Sequence, residues 1–480
     1  MIGKDEIIRV ADATGLRPAV VEKDYVLGWL LAAVHENAAF SDSWVFKGGT
    51  CLKKCYFETY RFSEDLDFTL TEEKHIDEEF LKEQFSFIAD WLYEASGIEI
   101  PKDRFVFDIY ENPRGHRSCE GRVYYQSYFS SGKRSIPKVK LDLTADEVLV
   151  MPPSRQKVVH TYSDTPQDGI YINCYSYPEV FGEKVRALGE RGRPRDLYDV
   201  INLFRNDHLP SAAVIQDILV QKCNYKDISP PALRDIESYH DALARNWEPM
   251  LAHQLPSLPS LEVYWDALPE FFDWLEGNET KDKTALGAVT REGNVYRPAY
   301  GQLNLRALSG NSLEIIRFAA GNRLCVDLDY TDNSGNRSSR VIEPYSLRQA
   351  QNGNILLYAV RAEDGQIRAY KINQINDASV VNRVFIPRYQ IELTPTGSIP
   401  PIRQSTGSMD SLGIPKRSSR PSRKKYTSSG FSSGPTYVYR CPMCDKTFKR
   451  KKQNSKLNPH KTKDGWPCSG RTGSYEDTIY

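Results

Sequence analysis

Two short runs, with 16 residues from Gly49 to Asp65, constrain this chain more than its composition does. Val45-Phe46-Lys47-Gly48-Gly49-Thr50 reads as a strand that runs into a glycine turn. Asp65-Leu66-Asp67-Phe68-Thr69 reads as a second strand. Alternation along a strand puts Asp65 and Asp67 on one face, roughly 6–7 Å apart along the chain. Carboxylates that close repel each other unless a cation sits between them. Mg is the usual one, because it accepts one or two carboxylates together with substrate phosphates. A third acid, Asp142, stands on the alternating run Val139 to Leu143. Three acids around divalent ions suit in-line phosphoryl or nucleotidyl transfer. Asp65, Asp67 and Asp142 are therefore the expected catalytic set, and the expected Mg ligands.

The glycines supply the other half. A Gly48-Gly49-Thr50 turn between strand and helix lets backbone N–H groups approach a phosphate with no Cβ in the way. Lys53 lies one turn further on, and Arg61 and Ser63 precede the acids; all three types can reach phosphate oxygens. The pattern is not a Walker loop, which needs more residues between its glycines and a Lys-Ser/Thr end. Each half alone has an ordinary explanation: a solvated strand face for the acids, a plain turn for the glycines. Their order and spacing together are more specific.

On these residues the chain resembles the AbiEii/AbiGii branch of the nucleotidyltransferase superfamily, the toxin halves of type IV toxin–antitoxin and abortive-infection systems. Glu22-Lys23-Asp24-Tyr25, and Glu183-Lys184-Val185-Arg186 followed by Arg191 and Arg195-Asp196-Leu197-Tyr198-Asp199, resemble further motifs of that family. The resemblance spans roughly residues 1–275. It implies an α+β fold of polymerase-β type with a helical second half. It also implies that Lys184 and Asp199 shape the nucleotide end of the pocket. The implied reaction is Mg-dependent transfer of a nucleoside monophosphate from an NTP to an acceptor hydroxyl, with tRNA-like RNA expected as acceptor. The implied role is that of a toxin or antiphage effector with an antitoxin partner. Without the upstream motif, Arg195 and Asp199 would read as an i,i+4 surface pair.

Downstream, short β runs separated by Asp332–Asn336, Asn352-Gly353 and Glu363–Gly365 turn signals read as a small all-β domain over 285–393. Segments around Val341, Leu357-Tyr358-Ala359, Tyr370 and Phe385 resemble the WYL domain, which implies an SH3/Sm-like barrel. Arg340, Arg348, Arg368 and Tyr370 are its candidate nucleic-acid contacts, by base stacking and phosphate pairing. The ordinary alternative is a packed barrel with solvated rim arginines.

Residues 394–436 are rich in Ser, Pro, Gly, Lys and Arg and read as a disordered basic linker. Then Cys441-Pro442-Met443-Cys444 is followed by His460, 16 residues after Cys444, and by Cys468, eight further on. Four soft ligands in two pairs suit a structural, tetrahedral Zn in a ribbon-like module over 437–472. Lys449, Arg450, Lys451 and Lys452 make that module a candidate nucleic-acid surface. From Pro401 onward there are 17 Lys/Arg against 5 Asp/Glu, so the neutral net charge hides an acidic body and a basic tail. The tail is expected to meet RNA or DNA first.

The transferase domain is expected over 1–280. The apolar run Tyr25 to Val34 is shorter than the ~20 residues of a membrane span. No secretory leader is legible, and nine scattered or clustered cysteines do not form a disulfide framework. A cytoplasmic setting and no membrane partner are expected. Two other functions stay open here: a nucleic-acid-binding regulator whose core only senses nucleotide, and a GTP-binding toxin that modifies a protein.

Overall fold

The computed structural model describes the chain apart from residues 15, 58–60, 113, 130–135, 279–285, 287–288, 290–294, 297–310, 351–353, 394–435, 445, 451–454, 459, 463–466, 469, 473 and 480. It divides into two compact units, Met1–Gln404 and Ser405–Tyr480. Of the expected linker, residues 394–435 lie outside the described residues, as do the Asn352-Gly353 turn, Lys451 and Lys452.

The first unit opens with helices α1 (Lys4–Thr14) and α2 (Pro18–Glu36). Every residue of α2 from Tyr25 to Val34 is buried. A helix apolar on all sides belongs in a core, which explains the run too short for a membrane. No helix among the described residues is long and apolar enough to cross one. Strand β1 (Trp44–Lys47) leads into a four-residue helix α3 (Gly48–Cys51) and a π-turn over Leu52–Tyr56. Then come β2 (Asp65–Leu70), α4 (Glu78–Ser96), β3 (Val106–Glu111), β4 (Arg117–Tyr124), β5 (Lys138–Thr144), β6 (Ser154–Val158) and β7 (Ile170–Cys174). These seven strands form one mixed sheet in the order β3-β4-β5-β2-β1-β7-β6.

Alternation decides which face each side chain takes. Leu66 and Phe68 on β2, and Val139, Leu141 and Leu143 on β5, are buried in the core. Asp65, Asp67 and Asp142 are therefore thrown to the opposite face. Strand β4 ends at Tyr124, and Tyr125 N leaves the ladder to donate to Pro137 O.

Seven helices complete the first half: α5 (Tyr177–Arg191), α6 (Pro194–Arg205), α7 (Ala212–Tyr225), α8 (Leu233–Glu237), α9 (His240–Leu251), α10 (Glu262–Trp265) and α11 (Leu268–Leu275). Ser176 caps α5, and Pro194 starts α6 at its first turn, where the missing N–H costs nothing.

A second sheet follows within the same unit: β8 (Val295–Tyr296), β9 (Leu324–Thr331), β10 (Arg337–Ala350), β11 (Ile355–Arg361), β12 (Ile367–Lys371) and β13 (Ile375–Val384). Its order is β12-β11-β10-β9-β13, with β8 on β10. The described strands leave this sheet open, so the expected closed barrel is not what they form. Strand β10 shifts register between Pro344 and Ser346, with β9 paired before the shift and β11 on both sides of it. Proline has no N–H to give the ladder, which places the irregularity there. The expectation of an all-β segment also misses α12 (Asn311–Gly321), whose Leu313, Ile316, Phe318, Ala319 and Ala320 are buried.

The second unit holds β14 (Thr436–Arg440), β15 (Thr447–Arg450), β16 (His460–Lys461), β17 (Pro467–Cys468) and β18 (Ser474–Ile479). β15-β14-β18 form one sheet and β16-β17 a hairpin. Pairing of β18 with β14 carries the module past its expected end at 472.

Candidate active site

Strand register assembles the carboxylates. Asp67 stands opposite Lys47 on β1 and beside Asp142 on the parallel β5; Asp65 is two residues before it on β2. The row continues, because Glu120 on β4 pairs with Asp142. Lys47 and Glu120 were not legible beforehand, since nothing local to either residue reports its cross-strand partner. Burial pushes the Asp67 carboxyl up to about 6, and neighbouring Asp142 adds to the rise. The Asp142 carboxyl is also raised, first by burial and then, against Lys47, by Glu120 and Asp65. Lys47 Nζ is held 3.5 Å from Glu183 on α5. Such a crowd of acids is what a divalent cation relieves.

The glycine turn abuts this row. Gly48 has φ +79, a left-handed conformation, and a Cβ there would run into Asp67 Oδ2. A Cβ on Gly49 would run into the Arg61 guanidinium. Thr50 Oγ1 donates to Asp65 O at 2.5 Å, tying the turn to β2. Gly48→Ala is expected to lower stability by about 1–3 kcal/mol through the strained φ alone. It should also displace Asp67. Thermal unfolding beside a transfer assay checks both; an unchanged melting point would contradict the turn's role.

The segment before β2 is pinned on three sides. Arg61 is 2% exposed and grips Asp199 on α6 with two 2.7 Å bonds, while Nη1 donates to Gln254 at 3.1 Å. Phe62 N donates to Gln254 O, and Glu64 pairs with Lys23 at 2.9 Å. Arg61, expected to reach phosphate, is placed here against Asp199 and Gln254. Lys184 on α5 lies 2.8 Å from Asp199 and 3.3 Å from Asp196, which in turn holds Arg191 at 2.7 Å. Lys53 Nζ sits 4.7 Å over the Phe62 ring, and Ser63 is half-buried in the segment before Asp65. Lys54, the next residue, is buried and paired with Asp24 at 2.7 Å.

Of the four candidates on the second sheet, two face inward. Arg348 is buried against Glu392 at 2.7 Å, and Tyr370 packs edge-on against Tyr330. Arg340 lies 5.9 Å over the Tyr330 ring, and Arg368 is exposed.

In the second unit, Cys441, Cys444, His460 and Cys468 bring one ligand atom each to within 4.8 Å of one another. Cys441 and Cys468 sulfurs are 3.8 Å apart, and Cys444 Sγ is 3.3 Å from His460 Nε2. Zn–S bonds of about 2.3 Å in a tetrahedron give an S···S edge near 3.8 Å, so the donor set fits Zn. His460 Nδ1 donates to Asn458 O at 2.9 Å, turning Nε2 toward the sulfurs. Against the cost of burial, backbone N–H groups of Met443 and Cys444 draw the Cys441 thiol down to about 6. Lys449 and Arg450 fall on β15.

A family model, Nucleotidyl transferase AbiEii toxin of type IV TA systems, matches residues 29–276. The chain belongs to the AbiEii family. A WYL domain model matches residues 311–380 of this AbiEii chain. No curated protein matches it. Among solved structures, the proteasome accessory factor B/C (PafBC) of Arthrobacter aurescens is similar at 13% identity and a TM-score of 0.15, over 77% of this chain and 32% of that one. The match thus spans about a third of that structure's chain.

Proposed function

We propose that this AbiEii chain transfers a nucleoside monophosphate from an NTP to an acceptor hydroxyl on RNA. The observation that carries the reading is the register: Asp67 between Lys47 and Asp142, with Asp65 on the same face. Asp65, Asp67 and Asp142 would hold Mg. When bound, Mg supplies neutralising charge at the phosphates and at the developing oxyanion. The Gly48-Gly49-Thr50 turn, Lys53 and Ser63 would cradle the triphosphate. Lys184 would face the nucleotide, its ammonium positioned by Asp199. Arg61 would position Asp199 rather than touch phosphate. The acceptor oxygen attacks the α-phosphorus, its proton passes to Asp142, and the bond to pyrophosphate breaks.

The domain reading is a transferase over 1–280, a WYL-like module over 285–393 and a Zn module after the basic linker. Arg340, Arg368 and the basic residues around β15 would recruit RNA or DNA. The reading includes a toxin or antiphage role in the cytoplasm with an antitoxin partner, which the AbiEii family match supports. Pyrophosphate release on adding RNA to enzyme, NTP and Mg tests the chemistry. Release of inorganic phosphate in its place would overturn it.

The Zn module makes its own prediction. Metal analysis is expected to find one Zn per chain, lost in Cys441→Ser. Because such sites fold with their metal, hydrogen exchange should rise across 436–479 while the first unit keeps its melting temperature. Full Zn in Cys441→Ser would remove that residue from the ligand set.

A further inference from the structure

Helix α6 carries Asp196 and Asp199, and between them stands Tyr198. Tyr198 is fully buried, and its hydroxyl donates to Asn322 Oδ1 at 2.9 Å. Asn322 follows α12, within the segment that matches the WYL domain. The same Oδ1 accepts from Tyr264 at 3.2 Å, and Nδ2 donates to Phe318 O at 2.8 Å. Two buried hydroxyls from the transferase half thus share one acceptor from the second module. Buried hydroxyls left without an acceptor are costly, which favours the arrangement that keeps Asn322 between them.

The next residue reinforces it. Arg323 has φ +59, a conformation that side-chain-bearing residues rarely adopt. That turn aims its guanidinium back at the end of α6: Nη2 bonds Asp207 at 2.7 Å, and Nε bonds Arg205 O at 3.4 Å. Phe385 N donates to its carbonyl at 2.9 Å, which joins the grip to the end of the second sheet. Asp199, directly after Tyr198, holds both Arg61 and Lys184. A shift of α6 along its axis would carry that carboxylate with it.

We propose that Asn322 is a positioning residue for nucleotidyl transfer, fixing Asp199 through Tyr198 from the second module. The proposal rests on the transferase reading above. Its test uses the full chain with four variants: Tyr198→Phe, Asn322→Leu, their double, and Tyr264→Phe. Tyr264→Phe removes a hydrogen bond to the same acceptor but keeps the ring that packs 5.2 Å from Tyr198. We expect Tyr198→Phe and Asn322→Leu each to lower kcat about tenfold, with KM for NTP within about twofold. The double should be no worse than Asn322→Leu alone, because both break one link. Amide exchange at Asp196 to Asp199 should rise in both. Tyr264→Phe should lower the melting temperature and leave kcat and that exchange unchanged.

Equal losses of kcat in Tyr264→Phe and Tyr198→Phe would overturn the proposal, as would unchanged kcat and exchange in Tyr198→Phe. If Asn322→Leu does not fold, the two single-hydroxyl variants carry the comparison. A parent chain that transfers no nucleotide would count against the transferase reading. The exchange comparison would then still support or overturn the positioning role.

Discussion

Asp67→Asn is expected to do two opposite things: to abolish nucleotidyl transfer and to make the folded chain more stable at neutral pH. The loss should be at least about 10²–10³-fold in kcat, the range for removing one electrostatic group from a transition state. The gain follows from the crowd of acids. In the fold the Asp67 carboxyl titrates near 6, above its ordinary 3.8. The folded state therefore holds that proton more tightly than the unfolded chain. Ionisation costs nothing below about pH 4, and its cost is complete above about pH 6. Two pKa units correspond to about 3 kcal/mol, and partial solvent exposure leaves on the order of 1–2 kcal/mol. Melting without added divalent ion checks this. Parent and variant should coincide near pH 3.5, and the variant should melt a few degrees higher at pH 7.5. A variant that melts lower at pH 7.5 would mean that Asp67 is an ordinary structural acid.

The second large effect is structural. Asp199→Ala should destabilise the first unit by about 3–5 kcal/mol, because it leaves Arg61 buried without its counter-charge. Both side chains are buried, at 2% and 0% exposure, and Lys184 leans on the same carboxylate. Against the cost of burial, Arg61 and Lys184 hold the Asp199 carboxyl far below its usual range. A depressed carboxyl contributes stability that is present above its unfolded pKa, so the clamp should persist at neutral pH and fail only in strong acid. Replacing both partners, Arg61→Met with Asp199→Leu, should recover much of the stability, with Lys184 still beside Asp196. The double should not recover transfer. Urea unfolding of the two variants measures this. A cost below about 1 kcal/mol for Asp199→Ala would show that the approach to β2 is held by other contacts.

The legible part of the site was the part with a short period. A glycine turn after a strand, and acids at alternate positions, are local patterns, and the fold places Gly48, Asp65 and Asp67 side by side. Asp142 could be read because its own strand alternates as clearly. The burial of Arg61 and its pairing with Asp199 could not be read, because sequence shows residue type and not burial, and Asp199 lies 138 positions away. Lys47 and Glu120 owe their places to strand register, which no spacing within one strand reveals. The same limit explains the second sheet. Its alternating runs were visible, but α12 was not, because turn residues dominate the segment around it. Strand β10 shifts register after Pro344, yet which strands flank it is a tertiary fact. The Cys/His set was legible for a different reason: ligand identity survives loops of any length, whereas strand pairing does not.

The most direct measurement is transfer of label from each α-labelled NTP to total cellular RNA with Mg, beside an Asp65→Ala/Asp67→Ala control. Label on RNA with the parent chain and none with the control is the predicted result. Label that appears equally in both, or an absence of label on RNA while the parent chain still binds nucleotide, would contradict catalysis by these carboxylates.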